Sequence, residues 1–124
     1  MIGIDIESIE RIEVLCKKKP KVIRGFFSAY EWQYAKKKAK MCQTLTGIWC
    51  AKEAVVKAYS NIKPILITDV KVKHNCNGEP YVSSISNRKI TSELKIRISI
   101  SHSKDYATAV AILLENITKN NKRK

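Results

Sequence analysis

The stretch TLTGIWCAKEAVVKAY, residues 44–59, decides the fold. Within it Leu45, Ile48, Trp49, Val55, Val56 and Tyr59 recur at the three- and four-residue spacing of an α-helix. Apolar residues lie on both flanks, which predicts a helix in the middle of the molecule rather than on its surface. Gly47 costs such a helix stability, so it marks a close packing contact. Glu53 and Lys57 stand four apart and therefore share a face, with Trp49 one turn earlier on the same side. Two readings are open: a helical ion pair worth about 0.2–0.5 kcal/mol, or a buried carboxylate that needs a cation or hydrogen bonds and so becomes a chemical site.

Towards the start of the chain, Ile2, Ile4 and Ile6 alternate with Gly3 and Asp5, the period of a strand with one buried face. The isoleucines are expected to form that face and Asp5 to point away from it. Asp5 and Glu7, two apart, share a side, as an exposed strand end or as a working pair of carboxylates. Ser8 then caps a helix carrying Ile9, Ile12, Leu15 and Cys16 on one stripe, ended by Lys17, Lys18, Lys19 and Pro20. Ser28 and Glu31 form a capping box. The helix it opens is expected to turn Trp32, Ala35 and Ala39 inward, to leave Lys36, Lys37, Lys38 and Lys40 in solvent, and to fade near Met41 to Gln43.

Beyond residue 61 the period changes to two. Val70 and Val72 lead to Asn77-Gly78 and then Tyr81 and Val82, a β-hairpin signal. Residues 85–94 read as a loop or irregular helix. Ile96, Ile98 and Ile100 alternate into Ser101-His102-Ser103-Lys104-Asp105, and residues 107–114 return as an apolar strand. The expectation is one α+β domain over residues 1–118, an antiparallel sheet packed with a long central helix, followed by a basic tail, residues 119–124.

Composition narrows the function classes. A chain of 124 residues, 44% hydrophobic and 28% charged, is a single globular domain. Its 24 Lys and Arg against 11 Asp and Glu give a net charge of +13, which suits nucleic acid, anionic lipid, a phosphorylated metabolite or an acidic protein. No run approaches the roughly 18–20 apolar residues of a membrane span, and the first residues lack the order of a signal peptide. A cytoplasmic protein without a membrane partner is expected. Cys16, Cys42, Cys50 and Cys76 show no C-x-x-C spacing and support neither a zinc site nor a disulfide frame, so they read as free thiols. Ser101, His102, Ser103 and Asp105 do not make a hydrolase triad, because neighbours leaving a strand point in different directions and no G-x-S-x-G elbow is present. His102 fits a turn that donates to a phosphate or to backbone. The lysine clusters at 17–19 and 36–38 come without a zinc finger, P-loop or aromatic RNA-binding signature.

Five segments taken together resemble a known family: Ile2-Gly3-Ile4-Asp5-Ile6 with Arg11 after it, Phe27-Ser28-Ala29-Tyr30-Glu31-Trp32, the run from Trp49 to Ala58 that holds Lys52-Glu53-Ala54-Val55-Val56-Lys57, Asn77-Gly78-Glu79-Pro80-Tyr81, and Ile98-Ser99-Ile100-Ser101-His102-Ser103. In order and spacing they are similar to the holo-acyl-carrier-protein synthases of the 4'-phosphopantetheinyl transferase superfamily, over roughly residues 2 to 114. The resemblance implies that family's fold, a trimer with the active site between subunits, and transfer of 4'-phosphopantetheine from coenzyme A to a serine of apo acyl carrier protein, releasing adenosine 3',5'-bisphosphate. It implies Asp5 and Glu53 as ligands of Mg2+, with Mn2+ as the substitute, and Lys57 beside the phosphates; Asp5, Glu53 and Lys57 are then the catalytic set. Lys57, His102 and Ser103 would contact the coenzyme, and Arg11, Lys18 and Arg24 would dock the acidic carrier. Two carboxylates can face a pyrophosphate only with a cation between them, since a carboxylate and a phosphate oxygen about 4 Å apart repel by about 4 kcal/mol at an effective dielectric near 20.

The chain departs from the family pattern at three places. Ile48 stands where that pattern has arginine, Tyr59-Ser60-Asn61-Ile62-Lys63-Pro64 replaces a glycine-rich stretch, and Glu7 offers a third carboxylate ligand. The rival reading is a small basic RNA-binding module without catalysis; the resemblance itself implies no nucleic-acid partner.

Overall fold

The computed structural model describes residues 1–89 and 94–115. The first strand, β1 (Ile2–Ser8), runs straight into α1 (Ile9–Lys18), whose N-cap Ser8 accepts from the Arg11 amide at 3.3 Å. Lysines 17 and 18 occupy its last turn, and Pro20 opens the short α2 (Pro20–Arg24). The capping box forms as expected: Glu31 N–H donates to Ser28 Oγ at 3.1 Å and Ser28 N–H to Glu31 Oε1 at 2.8 Å, starting α3 (Ala29–Lys36). Ala35 is buried and Trp32 half-buried. Ala39 falls beyond the helix end and is exposed, contrary to the inward placement expected from its spacing.

The helix α4 (Met41–Tyr59) begins three residues earlier than its periodicity suggests, because Met41 already packs against the core. Leu45, Ile48, Cys50, Ala51, Ala54, Val55 and Ala58 bury almost completely along it. A 3-10 turn at Ile67–Asp69 leads into β2 (Val70–His74), β3 (Pro80–Ile85) and the two-residue β4 (Arg88–Lys89), an antiparallel sheet in the order β2-β3-β4. The turn between β2 and β3 is a five-residue loop held by Asn75, whose Oδ1 accepts the amides of Asn77 at 2.9 Å and Glu79 at 3.0 Å, with Gly78 at φ +84°. A side chain there would be strained.

The second sheet joins the first strand to two much later ones: β5 (Leu94–His102) pairs with β6 (Tyr106–Glu115), which pairs with β1, in the order β1-β6-β5, all antiparallel. The loop or irregular helix expected at residues 85–94 is a strand end, a turn and β4 up to residue 89; its remainder at 90–93, and the tail at 119–124, lie outside the described residues. Among the described residues no helix is long and apolar enough to cross a membrane.

One expectation reverses. The alternation of β1 is real, but the isoleucines are on its open side: Ile2, Ile4 and Ile6 are 66%, 63% and 65% exposed, while Gly3 is buried against α4. The covered face of the sheet is built from small residues, with Gly3 opposite Ala111, Asp5 opposite Ala109 and Glu7 opposite Ala107. Small side chains let α4 come close to the sheet. A Cβ on Gly3 would sit 2.0 Å from the Ala54 carbonyl oxygen, so strand and helix backbones touch at that point. Gly47 serves the same purpose towards β5, where a Cβ would meet Ile100 Cγ2 at 2.8 Å, as its position in the helix suggested. Hydrophobicity alone misassigned the faces because close approach of a helix selects for small volume rather than for apolar bulk.

Candidate active site

Asp5 follows Gly3 on the covered face of β1, so the contact that brings β1 onto α4 also carries its carboxylate to the helix face bearing Glu53 and Lys57. Lys57 Nζ donates to the Ile4 carbonyl at 2.9 Å and to Asp5 Oδ1 at 3.2 Å, crossing from helix to strand. The ion pair is partly open, with the Lys57 side chain 52% exposed. Thr108 Oγ1, on β6, donates to the Asp5 carbonyl at 2.7 Å and fixes the strand from its other side.

Glu53 is half-buried, and its carboxyl is held above the ordinary glutamate range, first by burial and then by the nearby charge of Asp5, with Glu7 adding and Lys57 opposing. Cys50, one turn earlier on α4, lies against the same cluster. Its thiol donates to the Ala107 carbonyl at 3.4 Å. Burial, then the charge of Asp5 and a hydrogen bond to it, push this thiol up to about 12, which keeps it protonated. Glu7 is spoken for: Oε2 accepts the Ser8 amide at 2.9 Å and Oε1 takes the Arg11 guanidinium. Its two oxygens start α1 and hold Arg11, which argues against a third metal ligand at that position.

The cluster thus collects three carboxylates against two cations, with Asp5 and Glu53 as the oxygen donors not consumed by helix capping. Among the described residues no group of three or more His, Cys, Asp and Glu is placed to hold a metal ion. Two carboxylates fit what magnesium asks of a protein when phosphate oxygens and water complete its octahedron. The donor chemistry therefore suits Mg2+ or Mn2+ in the presence of a phosphorylated substrate.

The remaining predicted residues lie elsewhere. His102 ends β5, paired with Ala107, and Ser103 closes the turn to β6, its Oγ accepting the Tyr106 amide at 3.3 Å. Both line a cleft of about 860 Å³ together with Ile9, Lys17, Lys40 and Met41, and none of Asp5, Glu53 and Lys57 is among its walls. His102 also borders a smaller cavity of about 230 Å³, shared with Lys38, Ile48 and His74. Ile48, buried to 1% exposure, fills core space at the position where the family pattern has arginine. Arg11 and Lys18 are exposed on α1, and Arg24 at the end of α2 stacks over Trp32 with its guanidinium carbon 5.4 Å from the ring centre.

Lys52, adjacent to Glu53, has a place the sequence did not disclose. It is 1% exposed and bonds Glu31 Oε1 at 2.7 Å and the Phe26 carbonyl at 2.7 Å, while Glu31 Oε2 accepts the Val72 amide at 2.7 Å. The capping glutamate of α3 thereby ties α3, α4 and β2 together through one buried ion pair. Burial pulls the Lys52 ammonium below the usual lysine range, with Glu31 opposing that shift. The sequence signal for it is a lysine set among the apolar residues on both flanks of the central helix.

Comparison with known proteins gives concordant matches. The family model of the 4'-phosphopantetheinyl transferase superfamily matches residues 1–111. A holo-[acyl-carrier-protein] synthase of Fusobacterium nucleatum is 36% identical over 125 residues, covering 91% of this chain and 97% of the relative. One from Caldanaerobacter subterraneus is 34% identical over 116 residues, covering 90% and 91%. Among solved structures, the Helicobacter pylori holo-[acyl-carrier-protein] synthase in complex with coenzyme A superposes with a TM-score of 0.76 at 31% identity, over 92% of this chain and 100% of that one. A holo-(acyl-carrier-protein) synthase from Bacillus anthracis in complex with CoA (3',5'-ADP) gives 0.74 at 28% identity, over 93% and 96%.

Proposed function

We propose, from the premise that this chain belongs to the holo-[acyl-carrier-protein] synthases of the 4'-phosphopantetheinyl transferase superfamily, that it transfers 4'-phosphopantetheine from coenzyme A to a serine hydroxyl of an apo acyl carrier protein. Adenosine 3',5'-bisphosphate is the other product. The observation that carries this reading is the meeting of Asp5, Glu53 and Lys57 across the β1–α4 contact, from two segments 48 residues or more apart in sequence. Solved relatives that hold coenzyme A support coenzyme A as the substrate.

Asp5 and Glu53 would hold Mg2+, or Mn2+ in its place, which when bound supplies positive charge to the pyrophosphate under attack and to the departing phosphate. Lys57, half in solvent, binds a phosphate oxygen with a donor not used on Ile4 and Asp5, and neutralises charge that gathers there. Glu53, kept less acidic than a free glutamate, is the carboxylate better suited to take up the serine proton. Cys50 remains protonated at the site and is no nucleophile.

His102 and Ser103 present the β5–β6 turn to the coenzyme. The basic ends of α1 and α2, with Arg11, Lys18 and Arg24, steer the acidic carrier, mainly by raising the association rate. The open isoleucine face of β1, continued on β6 by Ile112 and Leu114, is the surface through which we place three copies in a homotrimer. An apolar area of this kind on a soluble chain is an interface before it is anything else. In this arrangement a neighbouring subunit would bring the His102 cleft of one copy to the carboxylates of another; the enzyme would serve fatty acid biosynthesis in the cytoplasm.

The test is direct: apo carrier protein incubated with coenzyme A, MgCl2 and the protein should gain the mass of one phosphopantetheine arm. No gain with any of several apo carriers would overturn the reading and favour the RNA-binding alternative.

A further inference from the structure

Glu7 lies near the end of β1 and Arg11 in the first turn of α1, four residues on. The two side chains have unequal freedom: that of Glu7 is 14% exposed and that of Arg11 62%. Glu7 is fixed twice, by its place in the strand and by the Ser8 amide, which donates to Oε2 at 2.9 Å. Its Oε1 takes Nη1 of Arg11. The carboxylate is therefore the anchor and the guanidinium the part it holds. A guanidinium carries its N–H donors in one plane, and among the described residues only Nη1 is engaged, which leaves the Nη2 and Nε donors open to a second carboxylate.

Resting on the transferase reading above, we infer that Glu7 is a positioning residue for the carrier: it holds Arg11 at the strand end of α1 and leaves the free donors of the fork to an acidic side chain of the carrier protein. The surroundings support this in two ways. Arg11 shares the outer face of α1 with Val14 and Lys18 at helical spacing, and Val14 is 40% exposed although apolar, so that face offers a cation, an apolar contact and a second cation in line. Glu7 also stands two residues beyond Asp5 on the same side of β1, a step of about 7 Å along the strand. An acid caught by Arg11 therefore brings the carrier to the end of the molecule where its serine has to react.

Orientation outweighs charge here. A loose arginine has to give up rotamer freedom when the carrier binds, whereas an arginine held by Glu7 has already lost it in folding. The negative charge of Glu7 works in the opposite sense by repelling the carrier, but exposed charges are screened over about 8 Å at physiological salt. The net effect of Glu7 is tighter docking.

Binding of an apo acyl carrier protein that the wild type modifies is measured by titration calorimetry without coenzyme A, and transfer kinetics are read in parallel. Glu7→Gln keeps an oxygen for the Ser8 amide but turns a donor towards Arg11; it should weaken carrier binding and raise the carrier KM about fivefold, with the loss falling on KM rather than kcat. Glu10→Gln removes an equal charge from the same helix turn without touching the anchor of Arg11 and should not weaken binding. In an Arg11→Ala background Glu7→Gln should have no further effect, because Glu7 acts only through Arg11. Arg11→Lys keeps the charge, loses the fork and should weaken binding by a similar factor, so the test stands even where Glu7→Gln folds poorly. Equal carrier affinity in the wild type and Glu7→Gln, or a loss of the same size in the Arg11→Ala background, would overturn the inference while transfer by the wild type upholds the reading beneath it. Absence of transfer to every apo carrier tried would overturn both.

Discussion

Replacing Gly3 by alanine should damage fold and site together. The new Cβ would lie 2.0 Å from the Ala54 carbonyl oxygen, 2.8 Å from the Ala58 nitrogen and 3.0 Å from the Ala54 carbonyl carbon. Ordinary contact begins near 3.4 Å, so β1 and α4 must separate by about 3.4 − 2.0 = 1.4 Å at this point. The atoms that have to yield are helix backbone, which cannot swing aside as a side chain can. The cost therefore belongs at the upper end of the overpacking range, about 3 kcal/mol. Alanine also lowers the entropy of the unfolded chain, which returns about 0.4–1 kcal/mol. A net loss of about 2 kcal/mol lowers the thermal midpoint by roughly 8 °C for a chain of this size. Separation also draws Asp5 away from Glu53 and Lys57, so phosphopantetheine transfer should fall far more than stability does. Gly25→Ala is the control, since a Cβ there would meet only the carbonyl oxygens of Val22 and Lys21, at 3.3 and 3.6 Å. Differential scanning calorimetry and carrier mass assays read both effects. A Gly3→Ala protein that melts and turns over like the wild type would refute the account of how Asp5 reaches the helix.

Three further perturbations separate stability from chemistry. Lys52→Met leaves Glu31 buried without its cation and should cost about 3–5 kcal/mol in chemical denaturation; a loss under about 1 kcal/mol would show that the pair is not the tie between α3, α4 and β2. Glu53→Gln should abolish transfer while stabilising the metal-free protein at neutral pH. Because the folded protein holds the Glu53 proton more tightly than the unfolded chain does, the wild type loses stability as pH rises above the ordinary glutamate value, so the advantage of glutamine should be present at pH 7 and vanish near pH 4. An equal advantage at both pH values would contradict that cause. Ile4→Glu places a charge on the open face of β1 and should convert a trimer into monomers in light scattering; an unchanged mass would mean that the isoleucine face is not the interface.

Much of the fold was legible because local signals and tertiary structure agree. Ser8, the Ser28–Glu31 box, the Asn77-Gly78 turn and the helical period around Val55 each act over a few residues, and each appears where the chemistry places it. The burial of β1 was misread for a physical reason: an Ile-x-Ile-x-Ile pattern says that two faces differ, not which one meets the helix. Gly3 held the missing information, since an isolated glycine in a strand marks a backbone approached closely. The site was half legible in the same sense. The spacing of Glu53 and Lys57 was visible on one helix, but the bond from Lys57 to Asp5 spans 52 residues and depends on a helix-to-strand contact that no local pattern encodes. Lys52 was hidden for the converse reason, because its partner Glu31 had already been given a sufficient local task as a helix cap.

The central claim is that Asp5 on β1 and Glu53 on α4 share one divalent ion at the coenzyme's phosphates. Crystals grown with coenzyme A and MnCl2, measured at the manganese absorption edge, test it most directly. The account predicts one anomalous peak per active site, within coordinating distance of both carboxylates and of a phosphate oxygen. A coenzyme bound with its phosphates remote from Asp5 and Glu53, or manganese held at other residues, would contradict it.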